Sequence, residues 1–289
     1  MKKATKLRKL LNKQGIIIAP GAHDAATARI IEQAGFPAVY MTGSGAAMSI
    51  LGEPDIGLLT MTEMVTHAHN LARAVSLPVI ADADTGYGNA INVVRTVKEY
   101  EGAGVAAIHI EDQVAPKKCG HFEGKQVVSQ NEMVSKIRAA VDAREDPDFV
   151  LIARTDARAV LGLDEAIRRA RAYVKAGADV IFLEAPQSLE ELKKIARSVD
   201  APLLVNMDEG TKTPLLTAQE LEAMGYKIVI FPRSAPCAAA KTIQELMQVL
   251  KKTGTTRGFS NRIVTFAERN LITGLARYQE MERKYLNRE

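Results

Sequence analysis

The chain has 289 residues, of which 47% are hydrophobic and 25% charged, as is typical of a folded globular protein with one large or two modest domains. Its 38 basic and 34 acidic residues give a net charge of +4, and the basic residues are spread along the chain. A nucleic-acid-binding protein would concentrate them in a patch, so that class is not expected. No apolar run approaches the roughly 20 residues that a membrane span needs, so no membrane partner is expected either.

The chain opens with a predicted amphipathic helix in which Leu7, Leu10 and Leu11 share one side. This segment is basic but lacks the apolar core and the small-residue cleavage site of a signal peptide. The only two cysteines, Cys119 and Cys237, lie far apart in the sequence. Together these features predict reduced thiols and a cytoplasmic location.

Eight short apolar runs then follow one another, each succeeded by a turn and a segment of helical periodicity. Near-continuous apolarity is typical of strands that are buried on both faces. The predicted strands are residues 15–20, 37–43, 78–84, 106–112, 149–155, 180–186, 202–207 and 227–233. Helical segments such as 163–178 and 188–199 separate them, and several end at a glycine directly before the next strand.

Eight strands that alternate with helices predict an α/β fold, a closed (β/α)8 barrel of the TIM type. An open doubly wound sheet is the alternative, but the sequence has no glycine-rich dinucleotide turn. Residues 1–289 are therefore predicted to form a single domain. Within it, residues 255–289 form a C-terminal helical extension that either caps the barrel or packs on another subunit.

Polar side chains collect where the predicted strands end, which is where a TIM barrel builds its active site. The second strand ends in a loop of small residues, 41–45, which lets a ligand approach backbone N–H groups. The strand ends that follow carry Asp82 and Asp84, His109, Glu111 and Asp112, Arg154 and Asp156, Glu184, Asn206 and Glu209, and Arg233. The charged and amide groups are thus expected to share one rim.

Three of these acids, Asp82, Asp84 and Glu111, predict a metal site. Residues two apart in a strand point to the same side, and carboxylates held close together repel unless a cation lies among them. Oxygen ligands without histidine or cysteine suit Mg²⁺ or Mn²⁺. The alternative for any single acid is an ion pair with Arg154 or Arg233, or a helix cap. Arg154 itself is expected either to grip a substrate carboxylate with two hydrogen bonds or to form a salt bridge in the rim.

The segment 115–125 reads APKKCGHFEGK and follows the fourth strand, which predicts a loop over the same rim. The positive charges of Lys117, Lys118 and His121 are expected to stabilise a thiolate and lower the pKa of Cys119. Such a thiol can protonate a carbanion as a general acid. Cys237, at the start of an alanine-rich helix, is predicted to be structural.

The phrases ADADTGYG, IHIEDQ, KKCGH and ARTDA, in this order, resemble the isocitrate lyase and phosphoenolpyruvate mutase superfamily. The resemblance runs from PGAHDAATARI to the C-terminal helix and is closest to the short lyase branch, which includes 2-methylisocitrate lyase, 2,3-dimethylmalate lyase and the petal death protein. It implies a Mg²⁺-dependent lyase that cleaves a 2-hydroxy di- or tricarboxylate to pyruvate plus succinate or a related acid. Its first expected substrate is 2-methylisocitrate, which would place the enzyme in propionate catabolism.

The resemblance also implies a role for each residue that matches the family pattern. The metal would be bound by Asp82 and Asp84 directly and by Asp55 and Glu111 through water. The substrate would be bound by Thr42, Gly43 and Ser44, which hold the carboxylate of the keto acid, and by Arg154, Glu184, Asn206 and Arg233. The catalytic residues would be Cys119 as the acid on a mobile loop, Lys117 and His121 as its neighbours, and Tyr40 as a candidate base. The resemblance further implies a homotetramer in which the last helix is exchanged between subunits.

Several alternatives stay open. The phrases DPDFVLIARTDA and KKCGH resemble 2-methylisocitrate lyase, whereas NMDEGTKTPLL, MGYKIVIFP and TFAERNLITGLARYQEMERKY resemble 2,3-dimethylmalate lyase and the petal death protein. An oxaloacetate decarboxylase or a carboxyphosphonoenolpyruvate phosphonomutase is a further alternative, and the KKCGH thiol counts against both. A barrel that binds a dicarboxylate for sensing, without turnover, is the non-enzyme alternative.

Overall fold

The computed structural model describes residues 1–286 and contains a closed barrel of eight parallel strands in chain order. The strands are β1 Ile17–Ala22, β2 Val39–Met41, β3 Val79–Asp82, β4 Ala107–Glu111, β5 Val150–Thr155, β6 Val180–Leu183, β7 Leu203–Asn206 and β8 Ile228–Phe231. The ring closes where β1 pairs with β8, in a register that joins Ile17 to Ile228. The predicted TIM-type barrel is confirmed.

Helices connect the strands and surround the barrel. They are α1 Lys3–Leu11, α2 Ala25–Gln33, α3 Gly43–Ala46, α4 Met61–Ala74, α5 Ala90–Gly102, α6 Gln130–Ala143, α7 Ala157–Leu161, α8 Leu163–Lys175, α9 Leu189–Ser198, α10 Ala218–Met224, α11 Ser234–Thr253, α12 Phe266–Thr273 and α13 Leu275–Tyr285. A π-helical turn, Ala47–Leu51, continues α3, and a 3₁₀-helix, Arg257–Arg262, precedes α12. No helix among residues 1–286 has both the length and the apolarity to cross a membrane.

Each predicted apolar run overlaps one observed strand, and the differences lie at the strand ends; β1, for example, ends at Ala22, two residues beyond the predicted run 15–20. The segment 41–45, predicted as a loop, is partly helical because Thr42 caps α3: its Oγ1 accepts a hydrogen bond from the N–H of Gly45 at 3.2 Å. Asp84 and Arg233, predicted at the ends of strands, follow the last strand residues in turns. The polar rim is therefore built from the first residues beyond the strands as well as from the strands themselves.

Apolar side chains fill both faces of the sheet, as the continuous apolar runs predict. Ile80, Ile152 and Phe182 belong to the cluster inside the barrel, and Leu7 of α1 joins it with its side chain fully buried. A larger cluster lies between the strands and the helices. Each fully buried side chain of this size contributes about 1.5–3 kcal/mol, which fixes the strands that carry the site.

The C-terminal helices pack little against the rest of the chain. In α11 only Pro236 is buried, and α12 and α13 have no buried residue. A hydrogen bond of 3.1 Å from Gln33 Nε2 in α2 to the Leu271 carbonyl connects α12 to the barrel helices. Much of the extension predicted at 255–289 is helical, and residues 287–289 lie outside the described residues.

Candidate active site

A small cavity lies at the carboxyl ends of the strands, beneath the loop of residues 116–125, termed here the Cys119 loop. Its volume is about 40 Å³, enough for a few water molecules. It is lined by Tyr40, Thr42, Ser44, Asp55, Asp82, Cys119, Gly120, His121, Arg154, Phe182, Glu184, Asn206, Asp208, Ile230, Pro232 and Arg233. Most of the residues predicted from the sequence therefore converge here, and a substrate larger than this space enters only when the loop moves.

Asp82, the last residue of β3, and Asp84 meet through a turn and not through strand alternation. Asp84 has a left-handed backbone with φ of 47°, and its N–H donates a hydrogen bond of 3.0 Å to Asp82 Oδ1. Gly43, at the start of α3, lies directly against the same carboxylate. A Cβ atom at Gly43 would lie 2.3 Å from Asp82 Oδ2, so only glycine allows α3 to approach Asp82 this closely.

Lys117 places its ammonium group among the acids. Its Nζ lies 2.5 Å from Asp55 Oδ1 and 3.0 Å from Asp84 Oδ1, and the side chain is buried. Burial lowers the pKa of Lys117, but the carboxylates of Asp84 and Asp55 outweigh that effect and raise it well above its usual value. A cation thus stands beside the acids that the sequence analysis assigned to a metal.

The buried carboxylate of Glu111 has few partners that would stabilise its negative charge. It is fully buried, neither of its oxygens accepts a hydrogen bond from a described residue, and its nearest cation is Arg154 Nε at 3.2 Å from Oε2. Burial raises the pKa of Glu111 well above its usual range, and burial also raises that of Asp84 to about 6. Burial is the largest cause of both shifts, and a further positive charge nearby would oppose them.

The donor set fits a hard divalent cation, although its members are not yet arranged around one. Among residues 1–286, no three His, Cys, Asp or Glu side chains converge closely enough to hold a metal as they stand. Asp55, Asp82, Asp84 and Glu111 nevertheless offer only carboxylate oxygens, which Mg²⁺ and Mn²⁺ prefer and Zn²⁺ does not. The orphaned oxygens of Glu111 are the groups that such an ion, or a water bound to it, would satisfy.

Arg154 extends from β5 over the cavity and is held by a neighbouring acid. Its Nε and Nη2 donate to the two carboxylate oxygens of Asp156 at 2.9 and 3.1 Å, and its guanidinium lies 5.1 Å from the ring centre of Phe182. The pair of guanidinium N–H groups that was predicted to bind a substrate carboxylate therefore already binds Asp156. A substrate reaches this arginine only through its remaining N–H groups.

Asp156, which directly follows β5, is itself held by a buried hydrogen-bond network centred on Asp112. Its backbone N–H donates to Asp112 Oδ1 at 2.9 Å. The other oxygen of Asp112 accepts hydrogen bonds from Thr155, Tyr173 and Arg169 at 2.8 to 3.0 Å. Because four donors converge on one buried carboxylate, the position of Arg154 is set by residues that never touch the cavity.

Cys119 is held near Asp55, and its thiol differs from the prediction. The Cys119 N–H donates to the Asp55 carbonyl at 2.9 Å. Burial raises the pKa of the Cys119 thiol, and the backbone N–H of His121 offsets this only in part. The predicted lowering of this pKa is therefore wrong, because the ammonium of Lys117 is taken up by carboxylates and that of Lys118 donates to the carbonyl of Gly124. A thiol that keeps its proton remains able to act as an acid.

In the opposite wall of the cavity, His121 and Arg233 lie beside two acids, Glu184 and Asp208. His121 Nε2 lies 3.4 Å from Glu184 Oε1 and 3.3 Å from Asp208 Oδ2. Arg233 Nε donates to both oxygens of Asp208 at 2.6 and 2.7 Å, and its Nη2 donates to the Glu209 carbonyl at 2.8 Å. Arg233, predicted to bind substrate, is thereby engaged by the protein itself.

Tyr40 and His109 lie together beneath the cavity. The Tyr40 hydroxyl is 2.8 Å from His109 Nε2, which lies 3.5 Å from Asp82 Oδ1. Burial lowers the pKa of His109 to about 4 and raises that of Tyr40 well above its usual value. Both side chains are therefore neutral near pH 7, and these surroundings oppose the predicted role of Tyr40 as a base.

Comparison with known proteins decides the family. Residues 7–251 match the family model described as phosphoenolpyruvate phosphomutase. The chain belongs to the phosphoenolpyruvate mutase family. It is thereby a member of the isocitrate lyase and phosphoenolpyruvate mutase superfamily, as the sequence motifs predict.

The named relatives identify this family member as a carbon–carbon lyase. It is 54% identical to 2,3-dimethylmalate lyase of Eubacterium barkeri, with 99% of each chain covered. It is 46% identical to 2-methylisocitrate lyase of Aeropyrum pernix, over 96% of this chain and 89% of the relative. A solved 2,3-dimethylmalate lyase superposes with a TM-score of 0.93 at 42% identity, covering 98% of this chain and 95% of the other. A phosphonopyruvate hydrolase solved with oxalate and Mg²⁺ superposes with a TM-score of 0.90 at 34% identity, covering 99% and 100%.

Of the two acids that follow β7, Asp208 lines the cavity although it was not predicted to, and Glu209 does not line it. Glu209 was expected at the rim, but it is exposed and its carboxylate accepts a hydrogen bond from Ser234. Asp208 lies in the cavity wall instead, which strand alternation could have indicated because it stands two residues after Asn206. Cys237, predicted to be structural, is exposed on α11 and does not line the cavity.

Proposed function

We propose that this lyase cleaves 2,3-dimethylmalate to pyruvate and propionate. The observation that carries the proposal is the engagement of Arg233 by Asp208, because Arg154 and Arg233, the two arginines that line the cavity, are then both paired with acids of the protein and neither is free for a third substrate carboxylate. The identity of 54% to a 2,3-dimethylmalate lyase supports the same choice. The order of preference is thus the reverse of that expected from the sequence, which put 2-methylisocitrate first.

The charges of the cavity favour a substrate with two carboxylates. The cationic groups around it, Arg154, Arg233 and Lys117, each already pair with acids of the protein. A third carboxylate would lie near Glu184 or Asp208 without a free partner, and the like charges would repel. 2,3-Dimethylmalate carries a methyl group where 2-methylisocitrate carries the third carboxylate arm, so it avoids this repulsion.

In the proposed reaction a base removes the proton of the 2-hydroxyl group and the bond between C2 and C3 breaks. C2 becomes the keto carbon of pyruvate, and the electron pair remains on C3 beside its carboxylate. The thiol of Cys119 donates its proton to C3 and yields propionate. Thr42, Gly43 and Ser44 would hold the carboxylate of pyruvate at the start of α3, and the Cys119 loop would exclude water from the carbanion.

Asp82 and Asp84, with Asp55 and Glu111, would hold Mg²⁺ or Mn²⁺. When bound, such an ion polarises the oxygen that becomes the keto group. The support for this assignment is the all-oxygen donor set, the orphaned oxygens of Glu111, and the Mg²⁺ in the solved phosphonopyruvate hydrolase.

A pyruvate-release assay with both substrates tests the proposal. We expect kcat/KM for 2,3-dimethylmalate to exceed that for 2-methylisocitrate by about 10²-fold or more, because the second substrate leaves a charge unpaired. Asp208→Ala frees Arg233 and should reduce the ratio of kcat/KM for 2,3-dimethylmalate to kcat/KM for 2-methylisocitrate. Asp164→Ala, which removes an exposed acid on α8, is the matched control and should leave it unchanged. Equal or faster turnover of 2-methylisocitrate by the unmodified enzyme would refute the assignment.

The second candidate is 2-methylisocitrate lyase, which releases succinate with pyruvate. The phrases KKCGH and DPDFVLIARTDA and the relative at 46% identity favour it. If the assay selects it, the enzyme belongs to propionate catabolism. If neither substrate yields pyruvate, both lyase assignments are excluded, and oxaloacetate or a phosphonate becomes the next substrate to test.

We further propose that the enzyme acts in the cytoplasm, on a small-molecule carboxylate and without a nucleic-acid or membrane partner. Both cysteines, Cys119 and Cys237, are unpaired in the structure, which suits a reducing compartment. The modest net charge of +4 supports a soluble, small-molecule enzyme over a nucleic-acid-binding one.

We also propose that the chain forms a homotetramer in which residues 255–286 pack on a neighbouring subunit. The support is their exposed apolar surface: the side chains of Phe266 and Leu271 are 73% and 71% exposed, and those of Ile243 and Met247 in α11 are also exposed. Light scattering is expected to give four times the chain mass of 31.4 kDa. Truncation after Gly254 should lower the assembly size, and a monomeric full-length chain would contradict the proposal.

A further inference from the structure

Lys125 is a buried lysine that the reaction described above does not use. It closes the Cys119 loop, its side chain is 3% exposed, and exposed residues, among them Glu123 and Gly124, precede it. Burying an ammonium group is unfavourable unless it is paired and hydrogen-bonded. Its partners therefore indicate why the chain keeps a lysine here.

Those partners join the loop to the active site. Lys125 Nζ donates a hydrogen bond to the carbonyl of Gly120, the residue that directly follows Cys119. The same Nζ lies 3.8 Å from Asp156 Oδ1, in the carboxylate that clamps Arg154. One ammonium group thus faces both the crest of the loop and the acid that orients the substrate-binding arginine.

Gly120 shows how closely the loop lies against that arginine. A Cβ atom at this position would lie 2.6 Å from Arg154 Nη2 and 2.8 Å from Glu184 Cγ. The backbone therefore rests directly on the site, and the cavity beneath holds only about 40 Å³. A loop in this position must lift to admit substrate, and when it lifts the Gly120 carbonyl leaves Lys125.

The two halves of the loop are held by different groups. The half before Cys119 is held by Lys117, which pairs with Asp55 and Asp84, and by the side chain of Gln113, which exchanges two hydrogen bonds with the backbone of Lys118. The half after Cys119 has two charge-assisted bonds, a buried one from Lys125 to the Gly120 carbonyl and an exposed one from Lys118 to the Gly124 carbonyl. Bonds of this kind are about twice as strong as those between neutral groups.

We propose that Lys125 is a positioning residue that latches the Cys119 loop closed and ties closure to the Asp156–Arg154 pair. The closed loop gains the bond from Lys125 to Gly120, which the open loop lacks. Closure then places the Cys119 thiol over the cavity at the same time as it places positive charge beside Asp156. The latch acts through the loop and through Asp156, not on the substrate.

Alkylation of the two cysteines measures the latch without any substrate, so it is independent of the proposed function. The partly buried Cys119 becomes more accessible to iodoacetamide when the loop opens, whereas the exposed Cys237 serves as an internal standard, and peptide mass spectrometry gives both rates. We expect Lys125→Met to raise the ratio of the Cys119 rate to the Cys237 rate by about tenfold or more, because the rate follows the open population. Lys125→Arg, which keeps the charge, should raise the ratio less.

Glu123→Gln is the matched control, since it changes one charge at an exposed position of the same loop, and its ratio should stay that of the unmodified enzyme. Thermal unfolding measured for every variant separates a latch from a general loss of folding, and Lys125→Arg replaces Lys125→Met if the latter does not fold. A ratio within twofold of the unmodified enzyme for both Lys125 variants would overturn the proposal.

Turnover provides the second readout. For the substrate that releases pyruvate, we expect Lys125→Met to lower kcat by about 10–10²-fold with a smaller change in KM, because the latch acts on the closed complex. Lys125→Arg should recover part of kcat. A fall in kcat without a rise in Cys119 alkylation would refute the latch and show that Lys125 acts on Arg154 alone.

Discussion

Replacement of Cys119 by alanine is expected to lower kcat for pyruvate release by about 10²–10⁴-fold, the range supplied by a positioned general acid. The thiol keeps its proton because burial raises its pKa, and the loop bearing it covers the cavity. Without it, the carbanion at C3 has only water as a proton source, and water is a much weaker acid than a thiol. KM should change little, since the thiol is not among the groups assigned to the substrate carboxylates.

Cys237→Ala is the control for this variant, because Cys237 is exposed and does not line the cavity, and it should retain full activity. The pH profile gives an independent signature. An acid must be protonated to act, and the raised pKa of Cys119 keeps it protonated through neutral pH, so activity should fall only as pH rises above the ordinary thiol range. Cys119→Ser should lose that alkaline limb. Retention of kcat within tenfold by Cys119→Ala would assign the acid to another group.

Removal of divalent metal is the second change expected to have a large effect. Dialysis against EDTA should reduce pyruvate release by about 10³-fold or more, because a bound ion supplies several kcal/mol of charge stabilisation. Mg²⁺ or Mn²⁺ should restore activity, since the donors are all carboxylate oxygens. Zn²⁺ should restore it poorly, because no His or Cys side chain joins the acids in a three-residue cluster within residues 1–286.

Thermal unfolding separates metal binding from activity. An ion that binds only the folded chain stabilises it by about 2.7 kcal/mol at a concentration of 100 Kd. Mg²⁺ should therefore raise the Tm of the unmodified enzyme and leave the Tm of the Asp82→Asn variant unchanged. Asp164→Asn, altered at an exposed acid far along the chain, should respond like the unmodified enzyme. Full activity after complete removal of metal would exclude the metal-dependent reaction.

The barrel and the location of the site could be predicted because both depend on local patterns. Continuous apolar runs such as 149–155 are stable only as strands covered on both faces, and their alternation with helices leaves few topologies besides the closed barrel. The carboxyl ends of parallel strands meet at one rim, so Asp82, Glu111 and Arg154 had to lie near one another. The phrase KKCGH then identified the family, and the comparisons confirmed it.

The protonation state and the partners of each group in the site could not be predicted in the same way. The sequence placed two lysines beside Cys119 and so predicted a thiolate, but in the fold Lys117 lies among acids from other segments and burial raises the thiol pKa. Arg233 was expected to be free for substrate, but it pairs with Asp208, which follows the neighbouring strand β7. Both outcomes depend on which residues from distant segments share a low-dielectric space.

By itself, the sequence determined the eight strands, the rim at which the acids lie and the family motif, because each of these depends on residues that are close together in the sequence. Only the tertiary structure decided that Lys117 stands among the acids, that Lys125 joins Gly120 to Asp156, and that the Cys119 loop lines the cavity. The physical reason is that a long charged side chain takes its partner from whatever acid the fold brings within reach. Burial then sets the strength of that pairing, and neither quantity is local in sequence.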